Sequence, residues 1–480
     1  MIIIKKTKIV ATLGPATESK KTKIKMVKNG VNVFRINFSH ADYDVVKEQI
    51  KQIREISKEF NTPIAILADL QGPKLRIGKV APDTFLHEGD TFILSNRDKI
   101  ITDNINRKAY ITYKNLPKDV HPGEIILVDD GKIQLKVEKT NHQDTVWTKV
   151  MEGGPLSSKK GVNLPNTNIS LPALTKKDKK DLLFAIEMKV DWLALSFVRS
   201  AEDLIKIKTI IKENSEYQIP VIAKIEKPEA VKNIEEIIKF TDGLMVARGD
   251  LGIEVPLEEV PLIQKKLVYL AKKHQKPIII ATQMMESMIS GSIPTRAEVN
   301  DVANSVMDGA DAVMLSGETS IGKNPVKVIK QITKIIKQVE NSQLIKVVDW
   351  LPIPKKRDER FISEVVCYNA SKISSDVSAS VITTFTASGF SAYKISARRP
   401  MAYILVFTAH KRLLNSLALL WGVMPFYYNK LISTDDTIRD IEKIAKKNNF
   451  VQSGDMIVSI FSMPINKKGM VNTLRITQVR

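Results

Sequence analysis

Cysteine is almost missing from this sequence: Cys367, in VVCYNASKIS, stands alone among 480 residues, so no intramolecular disulfide can form. Its helix-forming apolar neighbours mark it as core packing, and a chain without disulfides suits a reducing compartment, the cytoplasm. Long apolar runs are missing too. The opening MIIIKKTKIVATLG holds one short run followed by lysines, without a small-residue cleavage site. A membrane span needs roughly 18 apolar residues, so neither insertion nor export is expected. No low-complexity stretch occurs, and no dense Lys/Arg stripe is interleaved with aromatics, which make up 6% of the chain. That last absence matters because 73 Lys and Arg face 53 Asp and Glu, a net charge of +20. The lysines sit singly or in pairs among acidic residues, as in TKKDKKDLLFAIEMK, which is the pattern of a solvated basic surface. A nucleic-acid partner is not expected.

What the chain has in quantity is apolar sequence, 43% of its residues, enough for buried cores in about three domains. Runs of strand length recur as TKIVATLG (7–14), VNVFRINF (31–38), IAILADL (64–70), WLALSF (192–197), PVIAKIE (220–226), GLMVARG (243–249), PIIIATQ (277–283) and AVMLSG (312–317). Single amphipathic helices such as EAVKNIEEIIKF separate most of them. Eight strands apolar on both faces and alternating with helices predict a (β/α)8 TIM barrel. The gap between the third and fourth holds short β-like pieces (TFILSN, KAYITY, EIILVDD, KIQLKVE, DTVWTKV) with turns such as DDG and EGG, so an inserted small all-β lid domain is expected there. Beyond a long helix at 323–341, the run IPKKRDER (353–360) reads as a linker into a C-terminal α/β domain with strands VITTF, YILVFT and MIVSIF. The expected division is barrel 1–77, lid 78–168, barrel again 169–345, and C-terminal domain 356–480.

Barrels of this kind carry their chemistry at the C-terminal strand ends. Along the second strand Arg35, Asn37 and Ser39 alternate with Phe34, Ile36 and Phe38, a period of two that puts the polar groups on one face. A guanidinium with two oxygen-bearing neighbours suits a phosphate and a cation. The third strand ends in Asp69, followed after a Gly-Pro turn by Lys74 and Arg76. The fifth carries Lys224 and Glu226, the sixth ends in Arg248-Gly249-Asp250, the seventh in Thr282, and the eighth in Ser316 with Glu318. Glu226 and Asp250 on adjacent strands suit one Mg²⁺, which takes oxygen ligands and keeps places for water and substrate. Lys224 beside them suits a phosphoryl group in transfer, where electrostatics carry most of the catalysis. Any one of these side chains alone is more often a rim salt bridge, and Arg-Gly-Asp more often barrel backbone than an adhesion motif. Six of the eight strand ends with phosphate- or metal-compatible groups reverse that balance, because clustered buried charges need ligands.

The segments KIVATLGPAT, FRINFSH, ADLQGPKLRIG, SKKGVNLP, ALSFVRS, VIAKIEKPEAVKNI, LMVARGDLGIEVP, ATQMMESM and PTRAEVNDVANSVMDGADAVMLSGETSIGKNP follow the order found in pyruvate kinases. The chain resembles that family across the barrel, the lid and, more loosely, the C-terminal domain. The resemblance implies a glycolytic phosphotransferase that moves the phosphoryl group of phosphoenolpyruvate to ADP, giving pyruvate and ATP. One Mg²⁺ would sit on the enzyme and a second arrive with the nucleotide. Carried over by motif, Arg35 and Arg76 contact phosphoryl groups, Glu226 and Asp250 ligate Mg²⁺, and Lys224 stabilises the transition state. Asn37, Ser39, Asp69 and Leu70 form a monovalent-cation pocket. Backbone amides around Gly249 and Asp250, with the Thr282 hydroxyl, hold the substrate carboxylate. Thr282, Ser316 and Glu318 lie near the path that protonates the enolpyruvate, with the proton donor left open, and Lys160 in SKKG reaches toward the nucleotide phosphates. Relatives form tetramers and PTRAEVNDVANSV resembles their barrel-side interface, so a homotetramer is expected.

Two departures from the family pattern carry expectations of their own. Many relatives read Asp-Thr-Lys-Gly-Pro-Glu where this chain reads Asp69, Leu70, Gln71, Gly72, Pro73, Lys74, an ammonium in place of a carboxylate. Two positive charges in one pocket repel strongly at low dielectric, so Lys74 is expected to replace K⁺ and K⁺ not to be required. In the C-terminal domain Thr386, Ser388, Gly389 and Ser391 keep the small residues of a phosphate-binding loop before a helix, without the basic residues of some relatives. The later loop SMPINKKG lacks a Trp-Arg pair, so a sugar-phosphate effector would be held there by one phosphate group. A lyase or aldolase that keeps a pyruvate enolate on Mg²⁺ would also use Arg35, Glu226 and Asp250. It needs neither lid nor third domain, and ADP dependence separates the two readings.

Overall fold

Alternation along the strands sets the architecture. Val10, Leu67, Trp192, Ala194, Ile222 and Met245 belong to one buried cluster, while their chain neighbours Ile9, Ile66, Leu193, Leu195, Val221 and Leu244 join a second, larger one with the helices. Strands covered on both faces by apolar layers form a parallel sheet, and eight of them close. The computed structural model describes residues 2–97, 99–165, 167–342, 350–352, 359–430, 434–463 and 470–480. Most of IPKKRDER and of the loop SMPINKKG lies outside them. Strands β1 (Lys8–Thr12), β2 (Val33–Asn37), β3 (Ala65–Asp69), β4 (Trp192–Leu195), β5 (Val221–Ile225), β6 (Gly243–Ala247), β7 (Ile278–Ala281) and β8 (Ala312–Leu315) form a closed parallel barrel in cyclic order. All eight expected strands are present. One expectation is corrected: β2 stops at Asn37, and Ser39 sits in a 3₁₀ turn, Phe38–His40, off the face shared by Arg35 and Asn37. Asn37 Oδ1 accepts the Ser39 N–H at 3.1 Å, a local bond that competes with strand continuation.

Between β3 and β4 the chain builds a six-stranded sheet, a two-stranded ribbon and one helical turn, Leu116–Asp119. This lid has its own core around Phe92, Leu94, Ile126, Leu135 and Val146; Leu75 and Ile77 belong to it, and Ile169 and Leu171 pack against it. The C-terminal domain is a five-stranded sheet of β9 (Val381–Phe385), β10 (Tyr403–Thr408), β11 (Val423–Tyr427), β12 (Met456–Phe461) and β13 (Thr473–Gln478). The spatial order is β11-β10-β9-β12-β13, with β13 antiparallel. The two strands not expected from sequence are its edges: β11 carries Pro425, and β13 is mostly polar with no fully buried residue.

The C-terminal domain also stops one mouth of the barrel. Its 3₁₀ turn Leu417–Leu419 adds Ala418 and Leu419 to the barrel's inner cluster, and the Trp192 indole donates to the Ser416 carbonyl at 2.9 Å. Asp311, just before β8, pairs with Lys272 of the barrel and with Arg399 of the C-terminal domain, the latter at 3.0 Å. Chemistry is thereby left to the opposite rim, under the lid.

Candidate active site

Continuing the inward parity of each strand past its last apolar residue brings in Thr12 after Val10, Arg35 after Val33, Asp69 after Leu67, Ser196 after Ala194, and Lys224 after Ile222. These groups meet. Arg35 Nε donates to Asp69 Oδ2 at 2.7 Å and its NH1 to the Thr12 hydroxyl at 3.0 Å. The Lys224 ammonium donates to Ser196 Oγ at 2.7 Å and lies 2.9 Å from Glu226 Oε1 and 3.2 Å from Asp69 Oδ1. Arg35 and Lys224 are 9% exposed, Asp69 and Glu226 1%. Two cations and two anions with almost no water is a costly arrangement for stability alone, because desolvation offsets most of the Coulomb gain.

The neighbours tune these charges. Burial would raise the Asp69 carboxyl, but Lys224 and Arg35 outweigh it and hold it below the ordinary carboxylate range. Burial would lower Lys224, yet Asp69 and Glu226 reverse that and hold its ammonium above the ordinary lysine value. Glu226 goes the other way: burial, with the nearby Asp250 charge, raises it against the pull of Lys224. Three groups displaced in this pattern beside an open rim make this cluster the candidate site, whereas the similarly displaced Asp311, Lys272 and Arg399 lie where the C-terminal domain meets the barrel.

Glu226 Oε2 accepts the Phe197 N–H at 2.7 Å, whereas its buried Oε1, like Asp69 Oδ1, meets the Lys224 ammonium, at 2.9 and 3.2 Å respectively. A buried carboxylate oxygen at the rim that takes no amide donor keeps a lone pair for a hard cation beside that ammonium. Asp250, half-buried in the short helix Arg248–Glu254, supplies a second carboxylate near it. Among the described residues no group of three or more His, Cys, Asp or Glu could hold a metal, so a divalent ion here would draw its remaining ligands from substrate and water.

Thr282 has φ 72°, rare for a β-branched residue, and Phe197 and Gln283 have φ 54° and 55°. Strain of this kind collects at functional sites. The Thr282 hydroxyl accepts the Gly249 N–H at 2.7 Å, so that amide is engaged within the protein. Glu318 is a brace: it is 2% exposed, and its two oxygens accept the Met285 N–H at 3.1 Å and the Ser316 N–H at 2.7 Å.

Other expected residues stand apart from this quartet. Arg76 NH1 donates to the Lys159 carbonyl at 2.8 Å, and Lys160 pairs with Asp129 at 2.8 Å, both on the lid side. The Leu70 carbonyl is taken by Ser196 Oγ at 2.7 Å. Lys74 is exposed and makes no hydrogen bond or ion pair to Asn37, Ser39 or Asp69 among the described residues. The ammonium that reaches their turn is Lys177, which donates to the Phe38 carbonyl at 2.6 Å and pairs with Asp181 at 2.6 Å. Lys74 and Lys177 line one cavity of about 220 Å³. Sequence reasoning missed Thr12, Ser196 and Lys177. The first two were reachable by extending the strand parity two residues; Lys177 comes from a helix and was not.

In the C-terminal domain the candidate effector loop is partly committed. Thr386 Oγ1 accepts the Gly389 N–H at 2.8 Å, and the buried Ser391 hydroxyl is 2.8 Å from that of Thr384. Gly389 has φ +85°, a backbone state that suits glycine. Ser388 is exposed and lines a cavity of about 580 Å³ with Lys411 and Arg412, so basic groups missing from the loop come from the segment beside it.

A closed barrel with a charged quartet at its rim, under an inserted lid, is the architecture of an enzyme for anionic substrates. Comparison with known proteins narrows it. Residues 4–329 match the family described as "Pyruvate kinase, barrel domain" and residues 364–477 match "Pyruvate kinase, alpha/beta domain". Pyruvate kinase of Corynebacterium glutamicum is 41% identical over 98% of this chain and 97% of its own length. That of Mycobacterium tuberculosis is 40% identical over 98% of each, and that of Clostridium acetobutylicum 38% identical over 99% and 100%. The chain belongs to the pyruvate kinase family, enzymes that pass a phosphoryl group between phosphoenolpyruvate and ADP.

Proposed function

We propose that this chain catalyses phosphoryl transfer from phosphoenolpyruvate to ADP with Mg²⁺ and without need of K⁺, and that Arg35, Asp69, Lys224 and Glu226 form its reacting core. The observation that carries the reading is the Lys224 ammonium, held between Asp69 Oδ1 at 3.2 Å and Glu226 Oε1 at 2.9 Å with burial on every side. Lys224 and Arg35 hold the phosphoryl oxygens as the P–O bond to the enol oxygen breaks and the bond to the ADP β-phosphate oxygen forms. Asp69 keeps both cations oriented, which is the preorganisation that electrostatic catalysis needs. Glu226 and Asp250 would ligate Mg²⁺, which when bound supplies positive charge to the phosphoryl and enolate oxygens. Thr282, oriented by the Gly249 amide, and the backbone at Asp250 hold the substrate carboxylate, and the enolate left behind takes a proton on carbon near Thr282 and Ser316. Arg76 and Lys160 face the nucleotide phosphates from the lid.

Charge supports the K⁺ reading. Asp69, the one carboxylate among the pocket residues, is already engaged by Arg35 and Lys224, while Lys74 and Lys177 bring two ammonium groups to the neighbouring cavity. A further cation would meet more repulsion than attraction. The test is pyruvate formation from phosphoenolpyruvate, ADP and Mg²⁺ in potassium-free buffer, followed by KCl. Full rate before KCl, with stimulation gained in Lys74→Glu, is expected. A requirement for KCl in the wild type removes the K⁺ reading and leaves the reaction, whereas no activity in either buffer removes both.

The same proposal includes a homotetramer, to be checked by sedimentation, and a one-phosphate effector site at Thr386–Ser391 bordered by Lys411, to be checked by titrating sugar phosphates against substrate affinity. No helix among the described residues is long and apolar enough to cross a membrane, and a cytoplasmic location is part of the proposal.

A further inference from the structure

The helix Arg248–Glu254 carries two acidic side chains on one face, Asp250 and, four residues on, Glu254. Glu254 has no place in the reaction above, yet it is 4% exposed. Its Oε1 takes two donors: the Lys227 ammonium at 2.7 Å, itself 4% exposed, and the Asn163 side-chain N–H at 2.8 Å. Its Oε2 is buried without a hydrogen-bond partner. Lys227 follows Glu226 directly in the chain. Asn163 belongs to the lid, in the short strand Val162–Asn163 that pairs with Ile125–Val128.

The lid comes near this helix at a second place. A Cβ added to Gly131, in the lid turn after Asp129 and Asp130, would lie 4.0 Å from Ile253 Cγ2. The cleft between the two bodies is narrow, about 60 Å³, and is lined by Asp130 and Asn163 from the lid and Lys74, Lys227, Asp250 and Glu254 from the barrel. One carboxylate oxygen thus joins three segments: the lid strand, the residue after one candidate Mg²⁺ ligand, and the helix that bears the other.

We propose that Glu254 is the barrel half of a lid latch, with Asn163 as the lid half, and that it acts as a positioning residue that holds the lid over the barrel for nucleotide capture. The inference rests on the active-site reading above for its link to Asp250 and Glu226, but the latch itself does not. Lid closure gives Glu254 Oε1 its second donor; lid opening leaves that oxygen with Lys227 alone. A hydrogen bond to a charged carboxylate that is 4% exposed favours the closed state by about tenfold or more. Lys227 neutralises Glu254 in both states, so the latch can release without stranding a bare carboxylate.

Asn163→Ala removes the lid half at a half-buried position and leaves the Lys227–Glu254 pair whole, so it keeps the fold; Glu254→Gln keeps the shape and lowers the acceptor strength. Hydrogen–deuterium exchange of the substrate-free protein reads the latch, and steady-state kinetics read its role. Asn163→Ala should speed exchange in the lid and raise KM for ADP about tenfold, with KM for phosphoenolpyruvate and the apparent affinity for Mg²⁺ within about twofold. In lid exchange the double variant should be no worse than Glu254→Gln alone, since Asn163→Ala removes only a bond that Glu254→Gln has already weakened, the Lys227 pair being lost in both. Unchanged lid exchange in Asn163→Ala overturns the latch. Faster exchange with unchanged KM for ADP, or additive effects of the two substitutions, overturns its coupling to nucleotide capture. If Glu226 and Asp250 do not hold the metal, their own substitution leaves Mg²⁺ affinity intact while the exchange result stands.

Discussion

Lys224→Met is the sharpest probe of the quartet, because it keeps an unbranched side chain only one atom shorter and removes the ammonium, its charge and its donors together. In the wild type that ammonium sits 2.7 Å from Ser196 Oγ, 2.9 Å from Glu226 Oε1 and 3.2 Å from Asp69 Oδ1. Removing it leaves two buried carboxylates facing one another. Asp69 retains Arg35 at 2.7 Å, while Glu226 retains only the Phe197 N–H at 2.7 Å. Breaking a buried pair costs about 3–5 kcal/mol, and the surviving Arg35 contact puts the loss near the lower end, about 3 kcal/mol. Saturating Mg²⁺ should return part of that stability, since a ligand at a hundredfold its Kd adds about 2.7 kcal/mol to the state it binds. It should not return the rate. One preorganised donor is worth about 10²–10³ in kcat, and a full charge on the transferring group about 10³ or more. The assay is a lactate dehydrogenase-coupled pyruvate measurement beside urea unfolding with and without Mg²⁺. A variant with kcat within about tenfold of wild type, or one whose loss lies wholly in KM for phosphoenolpyruvate, refutes the transition-state role.

Two further outcomes test more distant parts of the structure. Lys160→Met, which leaves Asp129 with Lys132 at 3.4 Å, should raise KM for ADP about tenfold and leave KM for phosphoenolpyruvate unchanged; equal rises in both would remove Lys160 from the nucleotide side. Asp311→Asn should destabilise the protein by about 3 kcal/mol in urea unfolding, because Lys272 and Arg399 would remain buried with no carboxylate between them. Arg399 and Lys272 hold the Asp311 carboxyl below its ordinary value of 3.8 against burial, so its contribution is fully present above that pH and fades as the pH falls through its folded value. A wild-type advantage that widens on acidification refutes that assignment.

Period-two alternation made the barrel legible. It marks which residues enter the inner cluster, and the same parity carried past the apolar stretch selects Arg35, Asp69 and Lys224. The reading failed where local hydrogen bonding broke the period: Ser39 leaves the strand because Asn37 caps the turn that holds it. It was also blind to partners from elements without a strand period. Lys177 lies on the helix Lys176–Glu187, and nothing in TKKDKKDLL distinguishes it from the solvated lysines beside it. The edge strands β11 and β13 were illegible for a related reason, since a strand covered on one side only need not be apolar on both faces.

The position of Lys177 bears on how a cation pocket can be filled. A tethered ammonium replaces a bound ion only where it meets the oxygens the ion would meet, and Lys74, the residue that departs from the family pattern, is exposed. Lys177 donates to the Phe38 carbonyl, one residue from both Asn37 and Ser39, and is anchored by Asp181, which is 1% exposed and also accepts the Tyr43 hydroxyl at 2.7 Å. On the proposed K⁺ reading, Lys74 would act on the pocket through the cavity it shares with Lys177, by field rather than by contact. A Glu at position 74 would put a carboxylate into that cavity beside an ammonium already committed to Phe38 and Asp181. The surplus negative charge is what would draw in a K⁺ ion, so the gain of K⁺ stimulation expected in Lys74→Glu follows from the charge of the cavity and needs no direct bond between residue 74 and the ion.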